Sequence, residues 1–154
     1  MFKFLQTHFN DPAIHLRLGQ KAGAQSFSDF GYGARLEADL GAVIRARVQV
    51  QALRQNMVRT AFYADRTPPY FTWEYAPDLR QDYASIVEFL VVSFAHLSRQ
   101  VLDEAPLLPS LHFRHQPQFD TAIYEATFGC PVQFGMPQTR MEMLGRQVFR
   151  PSPF

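Results

Sequence analysis

His112 and His115 lie three residues apart in Leu111-His112-Phe113-Arg114-His115, and the pair invites a metal. The segment reads as a strand, however, and strand residues three apart point to opposite faces. No obvious carboxylate or cysteine completes a ligand set. Surface or hydrogen-bonded histidines are therefore expected, with no metal and no cofactor. Cys130 is the sole cysteine, which removes any intrachain disulfide or multi-cysteine metal site. It sits between Gly129 and Pro131 at a helix end, not at a helix start where a thiol is activated, so a buried packing role is expected. His96 lies in an apolar helical stretch. A haem ligand is the chemical alternative there, but a hydrogen-bonded core or interface histidine is the better reading. Asp65 and Asp78 flank a hairpin and Asp103-Glu104 follow a helix, where solvated turns and caps account for them. Nothing puts two carboxylates at one centre, so the expected catalytic set is empty.

The aromatic set Phe62, Tyr63, Tyr70, Phe71, Trp73 and Tyr75 is the strongest cluster in the sequence. In a strand Phe71, Trp73 and Tyr75 project together, opposite Thr72 and Glu74. One face must be core. A pocket wall with tyrosine hydroxyls and an indole N–H as polar handles is the functional alternative. If an effector binds, Trp73 and Tyr75 are its first expected contacts, with Phe62 and Tyr83 next, between the aromatic hairpin and a helical layer. Stacking of single-stranded nucleic acid is disfavoured because few cations flank the hairpin.

The elements that must position these residues follow from periodicity. Phe2, Leu5 and Phe9 mark one face of a first helix. Asp11 caps a second, with Pro12 at its first position, a stripe of Ile14, Leu18 and Ala22, and a stop at Gly23. A short small-residue helix is expected over Ser28–Ala34. Asp39 caps a third helix reaching about Gln55, with Val43, Ala46, Val50 and Leu53 inward. The period then changes to two in Val58–Tyr63 and Tyr70–Tyr75, strands joined by the Arg66–Pro69 turn. A long helix from about Leu79 to Leu102 carries the stripe Tyr83, Val87, Leu90, Phe94, Leu97 and Val101. It is apolar enough to need burial on two sides, across the sheet and against the amino-terminal helices or a partner subunit. Leu111–Arg114 is a strand, Pro117 opens a helix, and Gly129 then Pro131 end it. Val132–Phe134 and Thr139–Met143 are the final strands. The expected fold class is α+β, with amino-terminal helices followed by a small, mostly antiparallel sheet on which a long apolar helix packs.

A chain of 154 residues suits one domain, and it can bury a core without a staple. Net charge is only +1, with no basic stripe, which disfavours direct DNA binding by this chain. No apolar run approaches the roughly 20 residues of a membrane span. The start lacks the apolar core and cleavage site of a signal peptide, so no membrane role is expected and the cytoplasm is.

Tyr124-Glu125-Ala126-Thr127-Phe128-Gly129-Cys130-Pro131-Val132-Gln133-Phe134-Gly135 resembles the end of the amino-terminal regulatory domain of AraC-type transcriptional regulators. That group carries the label "arabinose-binding domain" and includes ornithine-utilisation-type regulators. There, a short helix breaks at F-G-C-P-V-x-F and a strand follows. Ile14-His15-Leu16-Arg17-Leu18-Gly19 resembles the group's L-G-L-R-L-G helix, and Asp29-Phe30-Gly31-Tyr32-Gly33-Ala34 its F-G-x-L-G-x-A stretch. The resemblance implies that residues 1–154 form a single effector-sensing and dimerisation domain, a fragment of a longer bacterial regulator. Its DNA contacts would belong to a carboxy-terminal helix-turn-helix domain absent from this chain. Expected partners are a small-molecule effector and a second copy in a homodimer. The competing readings are a structural dimerisation domain without an effector and, less favoured, a small-molecule enzyme.

Overall fold

The computed structural model describes residues 2–22, 38–54, 58–75 and 83–153, with backbone alone for 50–54. The first two helices are separated by local turn chemistry. Helix α1 (Phe2–His8) ends before Asn10, whose φ of 48° lies in the left-handed region that asparagine tolerates. The Asp11 carboxylate accepts from the Ala13 N–H at 3.1 Å, so the chain turns through Asp11–Ala13 before α2 (Ile14–Lys21) begins. Asp11 thus caps the entry turn, and Pro12 precedes the helix instead of opening it. Because α1 stops at His8, Phe9 falls outside its face and is 60% exposed, whereas Phe2 packs on Phe89 with ring centroids 5.3 Å apart.

The inward face of α2 differs from the expected stripe. His15, Leu16 and Gly19 are buried, with Ala13 and Ala22 at the ends, while Leu18 is exposed. Gly19 explains the rotation. A Cβ there would collide with Val92 Cγ1 and stand 3.1 Å from the Phe89 carbonyl, so the bare backbone is the surface that docks on the long helix. Helix α3 (Leu40–Arg54) begins where the sequence places it: the Asp39 carboxylate accepts from the Ala42 N–H at 2.7 Å. Leu40, Val43 and Ile44 face the core, and Ala46 is half-buried. The side chains of Val50 and Leu53 lie outside the described residues, as do Gly23, the expected Ser28–Ala34 helix, Gln55 and the segment from Ala76 to Leu79.

Strands β1 (Val58–Tyr63) and β2 (Tyr70–Tyr75) form the expected antiparallel hairpin, with Thr60 opposite Trp73 and Phe62 opposite Phe71. The sheet is completed by β3 (Leu111–His112), β4 (Val132–Gln133) and β5 (Thr139–Glu142), in the order β1-β2-β5-β3-β4. All pairings are antiparallel except β3 with β4. That parallel pair requires a crossover, and helix α5 (Thr121–Phe128) supplies it. Pro117 does not open this helix. The Asp120 carboxylate caps it by accepting from the Ala122 N–H at 2.9 Å, while Pro117 to Phe119 form the preceding loop. Gly129, at φ 66°, ends it as expected. A last turn, α6 (Gly145–Val148), was not legible in the sequence.

Helix α4 (Tyr83–Leu102) is the spine of the domain. Phe94 packs on Phe71 and Trp73, with ring centroids at 4.8 and 5.7 Å, and so fixes the helix on the sheet. Its other flank receives α2, so the helix is buried on two sides by this chain's own elements. By length and composition alone α4 is apolar enough to cross a membrane. Most of it is buried inside the domain, which is how a core helix passes the same test.

Candidate functional site

The hairpin divides the four expected contact residues. Trp73 is fully buried, edge-on to Phe71 at 4.4 Å. Tyr75, two residues along the same face, meets Tyr83 at the start of α4 with ring centroids 3.8 Å apart. The Arg114 guanidinium lies 5.9 Å from the Tyr75 ring centroid. Phe62 faces the same side but lies at the far end of the hairpin, roughly 13 Å along the strand from the level of Tyr75. There it packs against the core and meets Arg45 at 5.9 Å. Trp73, Tyr75 and Tyr83 are thus brought together, and Phe62 belongs to a neighbouring part of the same wall.

This wall carries polar atoms with no hydrogen-bond partner among the described residues: Trp73 Nε1, Thr60 Oγ1 and the hydroxyls of Tyr75 and Tyr83. Thr60 and Trp73 are direct cross-strand partners, so their orphan groups lie side by side on one face. Burial, then the nearby Tyr75, pushes the Tyr83 hydroxyl far above its ordinary pKa, opposed by Arg114. The Tyr75 and Tyr83 hydroxyls stand close enough to influence one another, without a hydrogen bond of standard geometry between them. Arg47, on the α3 face that buries Val43 and Ile44, is lowered to about 10 by desolvation. Leaving a buried donor unpaired costs about 1–3 kcal/mol, so the concentration of orphan groups at Thr60, Trp73, Tyr75 and Tyr83 is unusual in a plain core.

A second polar centre went unrecognised in the sequence. Glu88 of α4 is fully buried and accepts from four side chains. His15 Nε2 (2.5 Å) and Gln118 Nε2 (3.1 Å) reach one oxygen. His115 Nε2 and the Tyr124 hydroxyl, both at 2.7 Å, reach the other. Gln6 Nε2 lies 3.1 Å from His15 Nδ1 and 3.0 Å from the Pro12 carbonyl, which it must donate to. An amide nitrogen can only donate, so in this contact His15 Nδ1 is the acceptor and Nε2 the donor to Glu88. Burial alone would raise the Glu88 pKa. Hydrogen bonds from His115, His15 and Tyr124, with the charge of His115, outweigh that and hold it below the usual carboxylate range. The centre joins α1, α2, α4, the loop after β3, and α5. The signals available in the sequence were a lone carboxylate within an apolar helix and a histidine between Ile14 and Leu16.

His115 therefore has the carboxylate partner that its sequence neighbourhood did not reveal. His112, as strand alternation requires, points elsewhere, to Ser110 Oγ at 3.1 Å. Its pKa is lowered by burial and then by Arg140, against Glu142. The imidazoles of His15 and His115 address different oxygens of Glu88 at hydrogen-bond length. Among the described residues no group of three His, Cys, Asp or Glu converges on a metal position. Cys130 is buried, and burial, then Glu125, raises its thiol to about 11. His96 is half-buried, 3.5 Å from Gln100 Nε2.

The chain is thus an α+β domain with a buried, multiply bonded carboxylate and an aromatic wall whose polar atoms are unpartnered among the described residues. The chain belongs to the family described as the arabinose-binding domain of AraC transcription regulators, N-terminal, whose profile it matches over residues 1–151. Among solved structures it is similar to the transcriptional regulator CdpR from Pseudomonas aeruginosa, with a TM-score of 0.75 at 17% identity. That likeness covers 92% of this chain and 46% of CdpR, so the chain spans about half of that regulator's length. No curated protein matches the chain.

Proposed function

We propose that this chain is the effector-sensing and dimerising domain of a bacterial, cytoplasmic transcriptional regulator and that it is not an enzyme. In the full-length protein, operator contacts belong to a separate helix-turn-helix domain, and the near-neutral charge of this chain suits that division of labour. The effector site lies on the helix-facing side of the hairpin, with Trp73, Tyr75 and Tyr83 as primary contacts and Phe62 extending the wall. The observation that carries this reading is the group of orphan polar atoms at Trp73, Thr60, Tyr75 and Tyr83. A ligand offering hydrogen-bond acceptors would satisfy them, and only a ligand with differential affinity for two states can drive regulation.

A structural dimerisation domain without an effector is the second reading. It is favoured by the exposed apolar side chains Phe4, Leu18 and Ile86 on α1, α2 and α4, and Phe9 just after α1. Thermal melting of the chain against a panel of small metabolites separates the two. A reproducible, concentration-dependent rise in Tm supports effector sensing. A flat panel combined with dimerisation in sedimentation equilibrium favours the structural reading, and a monomer at high micromolar concentration removes dimerisation from both.

A further inference from the structure

A cleft of about 140 Å³ opens away from the hairpin, between the carboxy-terminal half of α2, the middle of α4, the connector after α4 and the end of α5. One wall is apolar and includes Val92, Leu108 and Phe128, while Arg99, His96 and Gln20 supply the polar side. No lining residue among the described ones is acidic. Glu104, next in sequence to the lining residue Ala105, is engaged by Arg150 at 2.8 Å and Gln147 at 2.9 Å. Arg99 has no ion-pair or hydrogen-bond partner among the described residues. His96 and Arg99 stand three apart on α4 and so share one helix face. The result is a guanidinium unpaired among the described residues, and an imidazole, at the edge of an apolar recess.

We infer that this cleft is a binding site for a small organic anion, a carboxylate carried on an apolar body no larger than a benzene ring. The size argument is direct: an apolar cavity of about 150 Å³ accepts benzene. The charge argument rests on the guanidinium, whose planar donor fork matches a carboxylate in two parallel hydrogen bonds. His96 and Gln20 add donors at the rim, and the apolar wall selects against inorganic anions, which gain nothing by contacting it. A ligand here would touch α2, α4 and α5 together, so its binding would tighten the helical layer. The site is separate from the hairpin and does not rest on the effector reading.

The test is calorimetric titration of the chain with sodium benzoate at constant ionic strength, with benzamide and sodium sulfate as controls. Saturable benzoate binding in the millimolar range is expected, with benzamide weaker and sulfate not competing. Arg99→Gln should weaken benzoate about tenfold or more, the loss of a charge-assisted pair. Arg99 is exposed and unpaired among the described residues, so the variant should melt like the parent chain. Ala95→Leu, which narrows the cleft but keeps Arg99, should also abolish binding, whereas Trp73→Phe should leave it unchanged. Absence of saturable benzoate binding, equal affinity for benzamide, competition by sulfate, or affinity unmoved by both cleft variants would each overturn the assignment. Loss of binding in Trp73→Phe would overturn it too, by moving the site to the hairpin.

Discussion

Replacing Glu88 with glutamine removes one charge and converts one acceptor oxygen into a donor. The native carboxylate receives two donors on each oxygen. Whichever way the new amide is turned, two donors face an NH2 group, either His15 with Gln118 or His115 with Tyr124. Tyr124 cannot escape simply by rotating its hydroxyl, because its oxygen already accepts from the Gln118 backbone N–H at 3.1 Å. His15 cannot change tautomer without losing Gln6 at Nδ1. His115 has no partner at Nδ1 among the described residues, so its proton can move there and Nε2 can accept from the amide; the less costly orientation then leaves one buried donor unpaired, a loss of about 1–3 kcal/mol. Against a typical domain stability of about 5–15 kcal/mol this is a sizeable share. Urea unfolding followed by Trp73 fluorescence reads it as a fall in Cm at constant m. The pH dependence carries the sign. Because the folded pKa of Glu88 is depressed, its contribution is present above the unfolded pKa near 4.3 and is lost as pH falls through the folded value. The native chain should therefore lose stability on acidification below about pH 4–5, and Glu88→Gln should lose less over the same interval. A Cm shift equivalent to less than about 1 kcal/mol, or identical acid limbs for the two proteins, would refute the keystone role of Glu88.

Gly19→Val should cost about 1–3 kcal/mol in the same assay despite a better helix former at that position, because its Cβ meets Val92 and the Phe89 carbonyl; an unchanged Cm would show that α2 does not dock through Gly19. Cys130, buried with its thiol raised to about 11, should react with a disulfide reagent at neutral pH only as fast as the domain opens; rapid stoichiometric labelling of native protein would contradict its placement. The isolated chain should show no sequence-selective DNA binding in gel shifts, and salt-resistant selective complexes would place operator contacts within it.

The hairpin and the spine were legible because their signals are local and repeated. Alternation in Tyr70–Tyr75 and the 3–4 spacing in Tyr83–Leu102 specify element and face together, and Asp39 marks a helix start by chemistry alone. Helix α2 was misread in rotation because hydrophobicity ranks Leu18 above His15 and Gly19. The packing partner reverses that order: Gly19 admits close approach, and His15 is hydrogen-bonded by a residue 73 positions away. The same distance in sequence hid the Glu88 centre, since its groups come from five segments and form no motif. Pro117 looked like a helix opener, but Asp120 offers a side-chain cap and displaces the start. Among the expected effector contacts, the sequence could group Trp73 with Tyr75 by strand parity. Only the fold brings Tyr83 to them and sets Phe62 apart.

The central claim is that the hairpin wall reads an effector, and a Trp73→Phe substitution in the full-length regulator tests it most directly. The exchange keeps the aromatic ring against Phe71 and Phe94 and removes the Nε1–H, which has no partner within the described residues. Effector titration of transcription from the regulator's own promoter, with folding checked by melting, is the measurement. The account predicts a normally folded variant whose half-maximal effector concentration rises about tenfold, the loss of one good hydrogen bond. A folded variant responding at the unchanged concentration would contradict it and return Trp73 to plain core.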